Sequence, residues 1–161
     1  MAPAGHPSQA SLVHALGEAM QGYQRSVQAF DDAVGRRLGL GPADLRCLDR
    51  LADGPASAGA VSAATGLRPA ATTALIDRLA RRGLVRRSRP DTDRRTVLVE
   101  VTELGHRLMW EAYGPLVRAG EPVLEQLSAE QLSILTDHLQ RLTALTDEHR
   151  ELLARQDVRD R

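Results

Sequence analysis

The sequence predicts a mainly α-helical chain carrying one small β-hairpin, and three observations point there. Apolar residues recur at intervals of three and four along most of the chain, the period of an amphipathic helix. After Gly83 the period changes to two: Val97, Val99 and Val101 share one face, while Thr96, Leu98, Glu100 and Thr102 share the other. Aromatic residues make up only 2 % of the 161 (Tyr23, Phe30, Trp110 and Tyr113), so the core is drawn from Leu, Val and Ala, which suits helices better than a β-sandwich.

Each element has its own signal. Leu12, Leu16, Met20, Tyr23, Val27, Phe30, Val34 and Leu38 trace one long helix, broken at Gly39-Leu-Gly-Pro42. A short second helix carries Leu45, Leu48 and Leu51 and stops at Asp53-Gly54-Pro55. Ser57 is placed to cap a third helix ending at Thr65-Gly66, and Pro69, suited to a first helical position, opens a fourth that runs to Arg82. Residues 84–89 pair with the valine strand across a loop at 90–94. Thr102 caps a fifth helix with Glu103 in its first turn, and Gly114-Pro115 and Gly120-Glu-Pro122 are expected to bend or break it. Ser128-Ala-Glu-Gln131 is a capping box for a sixth helix along Leu132, Leu135, Leu139, Leu142 and Leu145, whose last residues, DVRDR, are expected to fray.

Composition narrows the function classes. Hydrophobic residues reach 42 %, enough for a core, yet no apolar run approaches the roughly 20 residues of a membrane span. The opening MAPAGHPSQAS lacks the basic start and apolar stretch of a signal peptide and reads as a disordered lead-in, so the expected location is cytoplasmic. Cys47 is the single cysteine, which excludes an internal disulfide and a cysteine-based zinc cluster. The five histidines (His6, His14, His106, His138 and His149) form no i, i+4 pair, and neither a metal site nor a cofactor is expected. No Ser-His-Asp order, P-loop or dinucleotide fingerprint argues for catalysis, so no catalytic residues are assigned.

The net charge of zero hides a bias. Residues 68–95 hold nine Arg against three Asp, and every one of the 21 basic residues is Arg. A basic stretch inside a neutral chain suggests a face that meets a polyanion. The same stretch contains a helix-turn-helix pattern. In VSAATGLRPAATTALIDRL a short helix ends at a glycine turn and another begins three residues later, with Ser62 and Ala63 at the crossing, Leu67 filling the turn, and Thr72, Leu75, Ile76 and Leu79 facing inward. Joined to the basic hairpin, this is a winged helix: the second helix fits the DNA major groove, and the hairpin tip reaches the backbone or the adjacent minor groove.

At the wing, DTDRRTVLVEVTELG resembles the signature of MarR-type transcriptional regulators, an Asp-x-Arg, alternating apolar residues, then Thr-x-x-Gly. Here these are Asp93, Arg95, Val99, Val101, Thr102 and Gly105; LIDRLARRGLVRR and LSAEQLSILTDHLQRL resemble the family too, so that the likeness covers about residues 12–150. The resemblance implies a two-fold homodimer on a double-stranded, pseudo-palindromic operator, with the first, fifth and sixth helices at the interface and half-sites roughly 34 Å apart. It also implies that Arg95 enters the minor groove and that Asp93 holds its guanidinium. The long apolar stripes of those three helices agree, since a domain of about 60 residues leaves them uncovered. The expected organisation is a disordered N-terminus at 1–10, a dimerisation helix at 11–38, a winged helix-turn-helix DNA-binding domain at 42–102 and dimerisation helices at 103–156.

With Thr72 turned inward, Ala70, Thr73 and Ala74 lie nearest the bases, Arg68 stands at the helix start, and Arg78 and Arg94 face phosphates. Ala74 departs from the family, which usually has a polar or basic residue there; base reading then leans on Thr73 and Arg68, on thymine methyls met by alanines, and on groove shape. Arg86 and Arg87 read equally as structural pairs or phosphate contacts. Cys47 reads as a buried structural thiol, with redox sensing the alternative. Trp110 and Tyr113 read as a packing anchor or, as in relatives that bind small aromatic or lipophilic ligands, as the wall of an effector pocket completed by His14 and Arg46. The expected function is a homodimeric, nucleoid-associated repressor using recognition helix 69–82 and wing 84–102, released by a small-molecule effector. The alternative is a winged-helix module for a protein partner, without specific DNA binding.

Overall fold

The computed structural model describes residues 7–89 and 97–159. The chain divides into two compact units, Met1–Ala112 and Tyr113–Arg161. In the first, α1 (Gln9–Leu38) starts two residues before the expected boundary because Ser8 is a working cap: its Oγ accepts the Ser11 amide at 3.2 Å. The helix stops at Gly39, whose φ of 62° is left-handed, and the chain turns back so tightly that the Leu40 amide donates to Gly35 O at 2.9 Å. There follow α2 (Pro42–Ala52), β1 (Ala56–Ser57), α3 (Ala58–Thr65), α4 (Pro69–Arg81), β2 (Val85–Ser88), β3 (Leu98–Val101) and the start of α5 (Glu103–Leu124).

The hairpin is the expected one, but it belongs to a three-stranded antiparallel sheet in the order β1-β3-β2. Val85 faces Val101 and Arg87 faces Val99, while Ala56 joins the other edge of β3 opposite Val99. The sequence does not announce β1, because two residues cannot display an alternation. Its strand character comes from the edge that β3 offers. The core of this unit draws on α1 to α4 and on all three strands: Val34, Leu45, Cys47, Leu48, Leu51, Ala56, Val61, Leu75, Ile76, Leu79, Leu84, Val85 and Val99 are all buried. Leu75, Ile76 and Leu79 fall on one face of α4 at helical spacing, so burying them fixes which face of α4 looks out.

The junction from sheet to α5 explains the Thr-x-x-Gly spacing. Thr102 Oγ1 donates to Gly83 O at 2.6 Å and accepts the Gly105 amide at 3.1 Å, so one hydroxyl ties the turn after α4 to the cap of α5. Gly105 packs against the backbone itself: a Cβ there would strike the Leu84 carbonyl and lie 2.7 Å from Val101 Cγ1.

Neither proline breaks α5, which is one helix from 103 to 124 with Pro115 and Pro122 inside. Each proline removes one i→i−4 bond, and both lie on exposed stretches where water replaces the missing donor. In the second unit α6 (Ala129–Arg159) begins at the expected box: Ser128 Oγ accepts from Gln131 N at 3.1 Å and Gln131 Oε1 accepts from Ser128 N at 2.8 Å. The helix continues through Arg159, no Gly or Pro interrupting it, and the last two residues of the stretch expected to fray, 160 and 161, lie outside the described residues. Among the described residues no helix is long and apolar enough to cross a membrane.

Candidate nucleic-acid interface

The turn between α3 and α4 is held by side chains that converge on its carbonyls. Ser62 Oγ donates to Leu67 O at 2.6 Å, and Thr72 Oγ1, fully buried, donates to Arg68 O at 3.1 Å. Thr65 Oγ1 closes the end of α3 on Val61 O at 2.8 Å, and Gly66 supplies the left-handed residue with φ 71°. Ser62 therefore acts through its hydroxyl rather than as a small crossing residue. Ala63, placed at the crossing by the sequence reading, is exposed; on this short helix Val61 and Thr65 are the residues turned fully inward.

With the turn fixed, the first two turns of α4 present Ala70, Ala71, Thr73 and Ala74 to solvent, with Arg68 at the N-cap. Thr73 Oγ1 donates back to Pro69 O at 3.1 Å, which uses its only proton. Arg68 makes no ion pair among the described residues, and neither does the exposed Arg81 near the end of the helix. Further along, charges are already engaged. Arg78 Nη2 lies 2.6 Å from Oδ1 of the buried Asp44, and Asp77 Oδ1 accepts from Arg87 Nη2 at 2.7 Å. Arg86 Nε likewise donates to Glu100 Oε1, its cross-strand neighbour, at 2.7 Å. The two strand arginines are thus paired within the domain. Arg78, expected to face phosphate, keeps half its side chain exposed but has a partner in its own fold.

Asp93, Arg94 and Arg95 lie outside the described residues. On the described flanks of the loop, Ser88 pairs with Leu98 in register and Arg89 is exposed.

Two roles were not visible in the sequence. Asp44 joins α2 to α4, capping its own helix through Oδ2, which accepts the Gly41 amide at 2.9 Å. Arg82 donates from Nη1 to Gly39 O at 2.6 Å and from Nη2 to Leu38 O at 2.7 Å, clasping the C-terminus of α1. Arg78, for Asp44, and the end of α1, for Arg82, lie more than 30 residues away, so no local pattern marks these two contacts.

The four residues grouped around an effector are less united. Arg46, exposed, donates to Thr65 O at 3.4 Å. α1 meets α2 near Gly35, where a Cβ would lie 3.6 Å from Leu45 Cδ1. His14 stands about 30 Å up the α1 axis from there, at 1.5 Å per residue, beside Glu18 at 3.6 Å. One chain therefore does not bring His14 to Arg46, because a straight helix carries them apart. Trp110 is 56 % exposed, and Tyr113, half-buried, belongs to the second unit. Cys47 is buried, and that burial, with the charge of Asp44, pushes its thiol up to about 11. Burial also raises Asp49, with Asp53 and Asp31 adding repulsion.

A family model described as the MarR family matches residues 38–96. The uncharacterized HTH-type transcriptional regulator YcgE of Bacillus subtilis is 30 % identical over 125 residues, which span 77 % of this chain and 81 % of that one. Among solved structures, the transcriptional regulator BldR of Sulfolobus solfataricus is 27 % identical and matches with a TM-score of 0.54, covering 84 % of this chain and 99 % of its own. A MarR family protein from Bacillus stearothermophilus, 23 % identical, has the same fold with a TM-score of 0.64 over 88 % of this chain and 99 % of its own.

Proposed function

Because the chain belongs to the MarR family of winged helix-turn-helix transcriptional regulators, we propose that it acts as a homodimeric repressor on a pseudo-palindromic DNA operator. The observation that carries this reading is the outward face of α4. Its inward face is locked by Thr72, Leu75, Ile76 and Leu79, so the two turns from Pro69 project as a narrow ridge flanked by Arg68, which has no ion pair among the described residues. A helix of this girth fits the major groove, about 12 Å wide, and small side chains let its backbone approach the base edges. Arg68, Arg94 and Arg95 supply positive charge to the phosphates and minor groove, with Asp93 orienting Arg95.

The dimer reading is supported by unburied apolar surface. Leu12, Leu16 and Tyr23 on α1 are 55 %, 59 % and 72 % exposed, and α6 exposes Leu135, Leu139, Leu142 and Leu145. Such stripes are costly in water and suit a second copy of the chain. The proposed organisation keeps residues 11–38 and 103–156 for dimerisation and 42–102 for DNA. Release by a small-molecule effector completes the proposal. Trp110, the only tryptophan, is 56 % exposed and would report binding at its surface by its fluorescence.

Footprinting on DNA upstream of the gene tests the reading, with Arg95→Ala as the probe. The variant is expected to lose operator affinity by more than tenfold while its elution as a dimer is unchanged. The logarithm of affinity should fall linearly with the logarithm of salt, by about 0.9 per phosphate neutralised. Tight operator binding by Arg95→Ala would remove the wing from the interface. No specific footprint at low salt would favour instead a protein partner for the alanine-rich face.

A further inference from the structure

We infer that the recognition helix reads its half-site chiefly through thymine methyl groups, so that thymines, rather than guanines held by bidentate arginine, define the operator under α4. This rests on the DNA-binding reading above and specifies its sequence chemistry. The outward positions of the first two turns are Ala70, Ala71, Thr73 and Ala74, all exposed and none able to make a bidentate contact to a base. Thr73 has spent its proton on Pro69 O at 3.1 Å, which leaves it a methyl group and an acceptor. The next polar residues along the ridge are diverted. Asp77 is held by Arg87 at 2.7 Å and Arg78 by the buried Asp44 at 2.6 Å.

What remains to meet the groove floor is a patch of methyl groups. In the major groove only thymine presents an apolar group, its C5 methyl, so apolar contact selects A·T pairs oriented with thymine toward the helix. Arg68, at the N-cap and without an ion pair, is among the described residues the side chain bordering this patch that can reach a guanine or a phosphate, since Arg81 lies two turns beyond Ala74. The inferred half-site is therefore a short thymine-containing core with one arginine contact at its margin.

The full-length protein is first offered a randomised duplex library, and the preferred duplex is then remade with single thymines replaced by deoxyuridine, which keeps pairing but removes the C5 methyl. Replacement under α4 should weaken binding about fourfold for each methyl buried, the equivalent of one methyl-sized apolar group, while replacement outside the half-sites should change nothing. An Ala70→Ser/Ala74→Ser variant, altered only at exposed positions, should bind thymine and uracil duplexes nearly alike. Equal affinity of the wild type for both duplexes overturns the inference while leaving DNA binding standing. A library from which no sequence is enriched overturns the DNA-binding reading and this inference with it.

Discussion

Arg78 Nη2 lies 2.6 Å from Asp44 Oδ1, joining the flank of α4 to the first turn of α2 across 34 residues of sequence. The other oxygen of the same carboxylate accepts the Gly41 amide at 2.9 Å, so one buried group both caps a helix and anchors the helix proposed to face DNA. Asp44→Ala removes both acceptors and should cost about 2–3 kcal/mol in urea unfolding. Asp44→Asn keeps an acceptor for Gly41 and should cost about half as much. Water screens the half-exposed guanidinium and limits the ionic part. Equal losses in the two variants would show that the charge pair with Arg78, not the cap, carries the effect.

Gly105 and Gly120 lie in the same helix and should respond oppositely to alanine. At Gly105 a methyl group meets the Leu84 carbonyl and Val101 Cγ1 at 2.7 Å, backbone and sheet that cannot move without opening the junction. Gly105→Ala should therefore destabilise by about 1–3 kcal/mol. At Gly120 nothing lies within 4 Å, and Gly120→Ala should be neutral or stabilise by up to about 1 kcal/mol through helix propensity. Thermal unfolding of the two variants side by side checks both signs.

These two glycines also mark how far the sequence could be read. The helices were legible because their buried faces repeat at helical spacing, as at Thr72, Leu75, Ile76 and Leu79. Ser57, Thr102 and Ser128 were legible as caps because a capping side chain acts within three residues of itself. The exposed ridge of Ala70, Thr73 and Ala74 followed from the same period once Thr72 was turned inward. The two-residue β1 was not legible, since only pairing with β3 makes it a strand. Nor were Asp44 and Arg82, whose partners are brought near by the fold. Of the bend or break expected in α5, the break is absent for a physical reason: proline removes a single hydrogen bond, and an exposed helix can hydrate the carbonyl left over.

Cys47 should be chemically silent in the folded protein. It is fully buried, and burial, then the negative Asp44, lifts its thiol from 9.0 to about 11. A thiol-reactive dye should label the native chain far more slowly than the urea-unfolded chain at pH 8. Stability carries a second signature. Below pH 9 both states keep the proton, and the stabilisation linked to it is fully present. Between pH 9 and about 11 the unfolded thiol ionises and the folded one does not, so stability falls by about 2–3 kcal/mol across that window. Cys47→Ala removes this contribution, and the difference between wild type and variant isolates it from other groups. Rapid native labelling, or an unchanged difference across the window, would contradict the buried-thiol reading.

Arg82 follows directly on α4, yet its guanidinium binds the last carbonyls of α1, Leu38 O at 2.7 Å and Gly39 O at 2.6 Å. Those carbonyls have no helical donor of their own, and they lie at the negative end of the helix dipole, where a cation is favoured. The clasp therefore connects the helix proposed to read DNA with the one proposed to bind a second copy. Arg82→Ala should lower stability by about 1 kcal/mol, the exposed setting screening most of the charge. Its sharper readout is hydrogen exchange. The amides of Gly39 and Leu40, both donating to Gly35 O, should exchange faster in the variant, because freeing the two carbonyls lets the last turn of α1 open. Arg82→Lys, which cannot fork across two acceptors, should fall between wild type and alanine. Unchanged exchange at Gly39 and Leu40 in Arg82→Ala would show that the left-handed turn at Gly39 closes α1 without help, and that α1 and α4 are joined only through the core.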